Sequence, residues 1–598
     1  MLRRVRLLVV GCLALGASCH TPASGGPAAA PPSAAGRPPA SAPLRLTIAG
    51  TNDWHGWMMP HEHRARDGST VEEGGIALYA GALGILRAEA SGHLLVLDAG
   101  DVFQGTLASN IGEGAAMVDA FDALGVDAVS VGNHEFDYGP VGPAVVPQSP
   151  GDDPVGALKA RMAQAHFPFL AANIVDAHTG QHPAWLGSGT LLREVGGIRV
   201  GIIGLTTTET PRATNPLNVA GLRFLPLAPV ARSAAERLRA QGADVVVVVA
   251  HAGGRCNDLR DPNDISGCEA GAEIFAMLEE LPPGTVDAVV AGHVHRPVGH
   301  FVRGTPVIET SALGRSFGVI SLTLDPVTRR PIPGTTRLEA EIALCERVVE
   351  GTARCDAEAL RSGRALVPGT FHGQPLRRDA RIEALLAPSL AAVAQLQTRP
   401  LGVEVPAALG RSGRGESPLG STTADALRRM EGADIAILNP GGLRADLAAG
   451  PLTYGRLYET FPFDNAVATL KLTPAEVRGL LEALLAHGRT PQQSGLRLEV
   501  AACPSGLRLL GVTLSDGSPL VEGRFYRMVL PDYLALGGDG LEAFMAALPP
   551  ERRDLGERRP LNMRDALAAD LGRRGEPLVA PKAGRTVVQS GAARCPSG

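Results

Sequence analysis

Five apolar runs in this chain each stop on Asp, Asn or His, usually beside a glycine, and that repeated ending limits the available folds more than any other feature. The first reads Leu46-Thr47-Ile48-Ala49-Gly50-Thr51-Asn52-Asp53-Trp54-His55-Gly56 and the second Leu94-Leu95-Val96-Leu97-Asp98-Ala99-Gly100-Asp101. The third, Val129-Ser130-Val131-Gly132-Asn133-His134-Glu135-Phe136-Asp137-Tyr138-Gly139, is the richest. The others are residues 243–251, which end on His251, and residues 286–295, which end on Gly292-His293-Val294-His295. Short apolar runs of this kind are buried strands, and strands of a layered α/β domain open their carboxyl ends onto one crevice. Helical stretches at residues 76–90 and 114–124 alternate with them, which predicts such a domain over residues 44–355.

The polar residues at those ends form a metal-ligand inventory. Asp53 and His55 are two apart, so an extended segment would point both the same way. Asp101 has two carboxylate oxygens with which to bridge two ions, and Asn133, His251, His293 and His295 complete a set of seven. Seven N and O donors without cysteine suit two divalent ions sharing one ligand, with Mn, Zn, Fe or Co favoured over Ca and Mg. Such a pair is the machinery of phosphoester hydrolysis. His134 is surplus to the ligand set and free to donate to a phosphoryl or leaving oxygen, with Asp137 placed to hold its other ring nitrogen.

At 598 residues and 45% hydrophobic content the chain is too long for one core. With a formal net charge of -5, nothing in the composition suggests a phosphate-neutralising surface for nucleic-acid polymers, and none is expected as a partner. Arg3, Arg4 and Arg6 precede an apolar run at residues 7–15 and then Gly16-Ala17-Ser18-Cys19, the pattern of an export signal. Its ending resembles a bacterial lipoprotein processing site with Cys19 as the lipid-bearing residue, although Gly16 departs from that pattern. The only membrane association expected is through this anchor, in the periplasm or at the cell surface. Residues 20–43, almost wholly Pro, Ala, Gly and Ser, read as a tether. Export places Cys256, Cys268, Cys345, Cys355, Cys503 and Cys595 in an oxidising compartment, where local pairing of Cys256 with Cys268 and Cys345 with Cys355 is expected. Residues 145–154 read as an insertion or lid, and residues 379–397 as a helix within a connecting segment, 356–400. A second domain, residues 401–598, has strands at 433–438, 466–472 and 525–530, and a helix capped by Thr473.

Together, Thr-Asn-Asp-x-His-Gly, Gly-Asp-x-x-x-Gly, Gly-Asn-His-Glu-Phe-Asp, the lone His251 and Gly-His-x-His resemble the calcineurin-like metallophosphoesterases. In order and extent they are similar to the exported 5'-nucleotidase and UDP-sugar hydrolase family. The resemblance implies an αββα sandwich followed by a smaller α/β (α+β) substrate-binding domain. It implies one ion held by Asp53, His55, Asp101 and His295, and a second by Asp101, Asn133, His251 and His293. It also implies that Phe463 and Tyr533 sandwich a nucleoside base, that Asp539 accepts from ribose hydroxyls, and that Asn439 and Arg444 contact base and phosphate. Residues 411–422 depart from the family pattern: Arg411 or Arg414 would be the further phosphate contact, and Ser421 stands where the family has Asn. The expected activity is release of phosphate from nucleotides or nucleotide sugars. A 2',3'-cyclic-nucleotide phosphodiesterase with 3'-nucleotidase activity is the near alternative, and a non-catalytic nucleotide-binding surface lipoprotein the distant one.

Overall fold

The computed structural model describes residues 43–64, 68, 70–412, 415–486, 488, 490–503, 506–556 and 561–590. The alternating pattern of the first half builds two six-stranded sheets. In one, β1 (Leu44–Thr51), β2 (Leu94–Asp98) and β3 (Ala128–Ser130) are adjacent and parallel. In the other, β4 (Ile198–Thr206), β5 (Val245–His251), β6 (Ala288–Ala291) and β7 (Thr305–Glu309) are parallel neighbours in that order. Strands buried on both faces need no polar alternation, which is why β5 is a valine run buried at every position.

One face of each sheet meets the other sheet: Ile48, Leu95 and Leu97 pack with Val247, Val249, Val290 and Ile308. The opposite faces are covered by helices. Ala49, Val96 and Val129 pack beneath α1 (Ile76–Ala90) and α2 (Ala115–Leu124), while Val246, Val248 and Val289 pack beneath α3 (Leu227–Ala240) and α4 (Glu273–Glu280). The result is the αββα sandwich. Because the central strands of each sheet are parallel, their carboxyl ends lie along one edge, and that edge carries the five motifs.

The connecting helix is α5 (Ala380–Thr398), started by Asp379, whose carboxylate accepts from the Arg381 amide at 2.8 Å. Its Ile382 and Leu386 belong to the first domain's core and its Val393 to the second's. The second domain has a five-stranded sheet that includes β8 (Ile435–Leu438), β9 (Val467–Leu472) and β10 (Tyr526–Pro531), with β10 parallel to β8 and antiparallel to β9. Around it lie α6 (Pro418–Met430), α7 (Tyr454–Thr460), α8 (Pro474–Ala486) and α9 (Met563–Arg574). A reciprocal capping box starts α8: Glu476 Oε2 accepts from the Thr473 amide at 2.8 Å, and Thr473 Oγ1 from the Glu476 amide at 3.3 Å.

Cys256 is bonded to Cys268 and Cys345 to Cys355, the local pairings expected. Cys503 is disulfide-bonded as well. The leader with Cys19, the tether up to residue 42, Arg414 and Cys595 lie outside the described residues. Among the described residues no helix is long and apolar enough to cross a membrane. Residues 145–154 form a loop whose Val145 carbonyl accepts from Asn218 Nδ2 at 2.9 Å.

Candidate metal centre and substrate cleft

β1 ends at Thr51, so Asp53 and His55 are not on the extended segment that their spacing predicted. Both lie in the turn beyond it with left-handed φ, 54° and 49°. Asp101 (56°), His293 (82°) and His295 (58°) share that conformation. Five of the thirteen non-glycine residues with left-handed φ among the described residues are therefore candidate ligands. Backbone held in this region costs about 1–3 kcal/mol per residue and concentrates where a site demands it.

Those turns bring donor atoms face to face in two groups, Asp53 with His55 and His295, and Asp101 with His251 and His293. His55 Nε2 lies 3.1 Å from His295 Nε2, which is itself 3.1 Å from Asp53 Oδ1. His251 Nε2 lies 3.1 Å from Asp101 Oδ2, 3.1 Å from Asn133 Oδ1 and 3.2 Å from His293 Nδ1. The far ring nitrogens are tied to the backbone: His55 Nδ1 to the Gln104 carbonyl at 2.9 Å and His251 Nδ1 to the Ala99 carbonyl at 2.8 Å. A ring donating from Nδ1 keeps its Nε2 lone pair for the centre, the arrangement of metal-bound imidazoles. Asp53 Oδ1 is buried without a hydrogen bond of good geometry. Facing lone pairs and a bare buried carboxylate oxygen are unfavourable unless cations lie between them, so these residues fit divalent ions.

Burial raises the pKa of Asp53, but His295 and His251 beside it prevail and hold it below the usual carboxylate range. Burial likewise opposes the charged form of Asp101, and His251 and His134 outweigh it. His55 is lowered by burial and then by Arg444. His251 is disfavoured as a cation by burial, yet Asp101 and Asp53 push it up to about 10.

His134 opens a single 3-10 turn directly after Asn133, and its amide donates to Asp101 Oδ1 at 2.8 Å. Its Nδ1 lies 2.5 Å from Asp137 Oδ2, and Asp137 Oδ1 accepts from Thr214 Oγ1 at 2.7 Å. The ring is 5.2 Å from that of His55 and 5.6 Å from that of Phe463, between the donor cluster and the second domain.

One cleft of about 390 Å³ joins both domains. Asp101, Asn133, His134, Asp137, His293 and His295 line one side, and Asn439, Arg444, Phe463, Tyr533 and Asp539 the other. Arg444 Nη2 is 2.8 Å from His55 Nε2, and the guanidinium stands 6.0 Å from the Phe463 ring. Tyr533 Oη reaches the Arg212 carbonyl across the domain boundary and lies 3.0 Å from Asp539 Oδ1, so Asp539 braces the tyrosine. Arg411 is turned to Asp446 at 3.6 Å and donates to the Leu443 carbonyl at 3.3 Å. Ser421 faces Glu416 at 3.3 Å from within α6.

Several residues that shape the site are assigned no role by the sequence alone, Glu135 and Gly132 within a motif among them. Glu135 accepts from the amides of Asp101, Val102 and Gly132 at 2.9, 2.7 and 2.7 Å, tying the second and third motif loops together. A side chain at Gly132 would put Cβ 2.2 Å from Asp101 Oδ1. Asn110 takes Gly105 N and Tyr138 Oη on its oxygen, each at 2.9 Å, and donates to the Pro462 carbonyl at 3.1 Å beside Phe463. Arg564, on α9 and 3% exposed, donates to the Phe461 and Phe463 carbonyls at 3.0 and 3.4 Å. An Asn in a short helix and an Arg just over a hundred residues from its targets have no spacing that would reveal them.

Residues 46–297 match the family model for the calcineurin-like phosphoesterase, and residues 393–546 that for the 5'-nucleotidase C-terminal domain. Protein UshA of Yersinia enterocolitica is 26% identical over 531 residues, covering 83% of this chain and 86% of its own length. A 5'-nucleotidase of Vibrio cholerae is 25% identical over 540 residues, covering 83% and 85%. The crystal structure of a 5'-nucleotidase precursor from Thermus thermophilus superposes with a TM-score of 0.72 at 26% identity, covering 91% of this chain and 99% of that one.

Proposed function

Because this chain belongs to the family that joins a calcineurin-like phosphoesterase domain to a 5'-nucleotidase C-terminal domain, and is a metal-dependent phosphoric ester hydrolase, we propose that it releases phosphate from nucleoside 5'-monophosphates, with nucleotide sugars as further substrates. The observation that carries this reading is the cleft lined by Asp101, His293 and His295, members of both His-carboxylate groups, together with Phe463, Tyr533 and Arg444. A phosphate at the first side leaves a base within reach of the aromatic rings at the second.

Asp53, His55, Asp101 and His295 would hold one divalent ion, and Asp101, Asn133, His251 and His293 a second. Ions such as Mn, Zn, Fe or Co would supply Lewis acidity toward the phosphoryl group and the attacking water. Arg444 binds phosphate oxygens. His134 donates from Nε2 to the leaving or phosphoryl oxygen; Asp137, anchored by Thr214, accepts from Nδ1–H and favours the doubly protonated ring that does so. Burial lowers the pKa of His134, but Asp137 and Asp101 outweigh it and raise it, which favours the charged ring. Phe463 and Tyr533 stack the base, an interaction contributing about 1–3 kcal/mol. Asn439 and Asp539 meet polar edges of the nucleoside, and Arg411 or Arg414 adds phosphate contact from the edge of the cleft. The protein is exported and lipid-anchored at Cys19, a reading that mass spectrometry of the mature N-terminus tests.

The purified chain is expected to contain close to two transition-metal ions, to lose hydrolysis on chelation, and to release phosphate from AMP faster than from 2',3'-cyclic AMP. Asp101→Ala should abolish turnover while the chain still folds. Full activity after chelation would reject the two-metal reading, and preference for the cyclic substrate would replace 5'-nucleotidase by the cyclic phosphodiesterase.

A further inference from the structure

A strand that supplies no candidate ligand ends at the metal centre. β7 stops at Glu309, followed by Thr310, and both side chains are buried at 0% and 1% exposure. The partners of the Glu309 carboxylate are backbone amides: Oε2 accepts from Gly254 at 2.9 Å and Oε1 from Val294 at 3.1 Å, with the Arg296 amide directed at it too. Gly254 lies three residues after His251, and Val294 sits between His293 and His295. One side chain therefore spans the two loops that carry all three of these histidines. Space there is closed: a Cβ on Gly253 would lie 2.5 Å from Glu309 Oε2 and 2.2 Å from the Gly292 carbonyl.

Thr310 performs the same service for the first motif. Its amide and hydroxyl both donate to Asn52 Oδ1, at 2.8 and 2.9 Å, and its carbonyl accepts from Asn52 Nδ2 at 3.0 Å. Asn52 Nδ2 also donates to Asp53 Oδ2 at 2.8 Å, and that same oxygen accepts the His293 amide at 2.8 Å. Two adjacent residues thus lock three of the five ligand loops in register. A carboxylate suits the first task because it accepts on both oxygens. An amide in its place would turn an NH₂ toward a backbone N–H, leaving two buried donors opposed.

We propose that Glu309 and Thr310 are the positioning residues of the metal centre. Glu309 sets the His251 loop against the His293–His295 loop, and Thr310 sets the Asp53–His55 loop against both. Neither touches substrate. Their contribution is to hold ligand side chains at ion-binding spacing on backbone that is otherwise strained, as partners behind metal ligands do. The inference rests on the two-metal reading of the site.

The test uses the full chain stripped of metal and titrated with Co(II), reading the visible absorption of each bound ion, chelator-competition affinity, and thermal unfolding of the metal-free form. Glu309→Gln is expected to weaken Co(II) binding by about 10–100-fold at both positions and alter both absorption bands, while the two opposed donors lower the metal-free melting temperature without unfolding the chain. Thr310→Val, which loses only the hydroxyl, should weaken one position and leave the other at wild-type affinity, and Thr310→Ser should restore it. Wild-type affinity and spectra in both Glu309→Gln and Thr310→Val, beside a wild-type chain that binds two ions, would overturn the inference alone. A wild-type chain binding fewer than two ions would overturn the two-metal reading and this inference with it. If Glu309→Gln fails to fold, Thr310→Val decides: selective loss at one position supports the proposal, and two unaltered positions overturn it.

Discussion

His134 shows how much of a site one residue can concentrate. Its amide fixes Asp101, its Nδ1 is held by Asp137, and its ring lies between the donor cluster and Phe463. Truncation leaves the amide in place, so the Asp101 contact survives the loss of the ring. His134→Ala is therefore expected to retain both metals while turnover falls by about 100-fold or more, the scale set by removing an acid or an oxyanion donor. Metal content and single-turnover rates measured on one preparation decide it: unchanged turnover would make His134 a turn residue, and lost metal would make it part of the ligand scaffold.

At the scale of elements, the short hairpin of Thr370–Phe371 and Gln374–Pro375, just before the connecting helix, is fastened by one histidine. His372 Nδ1 lies 2.7 Å from Glu89 at the end of α1, and Nε2 lies 3.1 Å from Glu339 on the edge strand Arg337–Ala343. Burial lowers the pKa of His372, but the hydrogen bonds to Glu89 and Glu339 outweigh it and raise it above 6.5. A pKa raised on folding contributes stability that is fully present below the unfolded value and is lost as pH rises through the folded one. With φ at 48°, His372 is best replaced by Asn, which tolerates that backbone. The melting-temperature gap between wild type and His372→Asn should be widest below the ordinary histidine pKa of about 6.5 and narrow as pH rises above it. A gap independent of pH would assign the effect to packing against Phe371.

For the whole molecule, the decisive feature is that the cleft belongs to neither domain alone. Leu107 of the first domain packs into a core cluster of the second, Asn110 bonds the Pro462 carbonyl, and Tyr533 bonds the Arg212 carbonyl. These contacts join the two sides of the proposed substrate cleft, so the proposed binding and release are expected to require them to open. If the second domain supplies base recognition and the first the chemistry, Tyr533→Ala should raise KM for AMP by about 10-fold or more, the equivalent of lost stacking. A small aryl phosphate has no base to stack, so its kcat/KM should be nearly unchanged. Equal losses on both substrates would make Tyr533 a support of the domain interface, and the division of labour would fall.

The amino-acid sequence by itself determined the layered architecture and the candidate chemistry of the first domain, because both depend on local pattern. A valine run ending on His251 is a buried strand with a polar terminus whatever surrounds it, and the connecting helix and the Thr473 cap are likewise written in adjacent residues. The nearest cysteine pairs also followed from spacing, since short loops close most readily. Tertiary structure alone decided how the ligands are presented. The spacing of Asp53 and His55 predicted an extended pair, whereas the chain reaches the centre through left-handed turns whose strain only long-range contacts can sustain. Glu135, Glu309, Asn110 and Arg564 act on backbone groups 3 to about 350 residues away. A backbone amide has no sequence signature, so the residue that satisfies it can be recognised only after the fold has brought the two together.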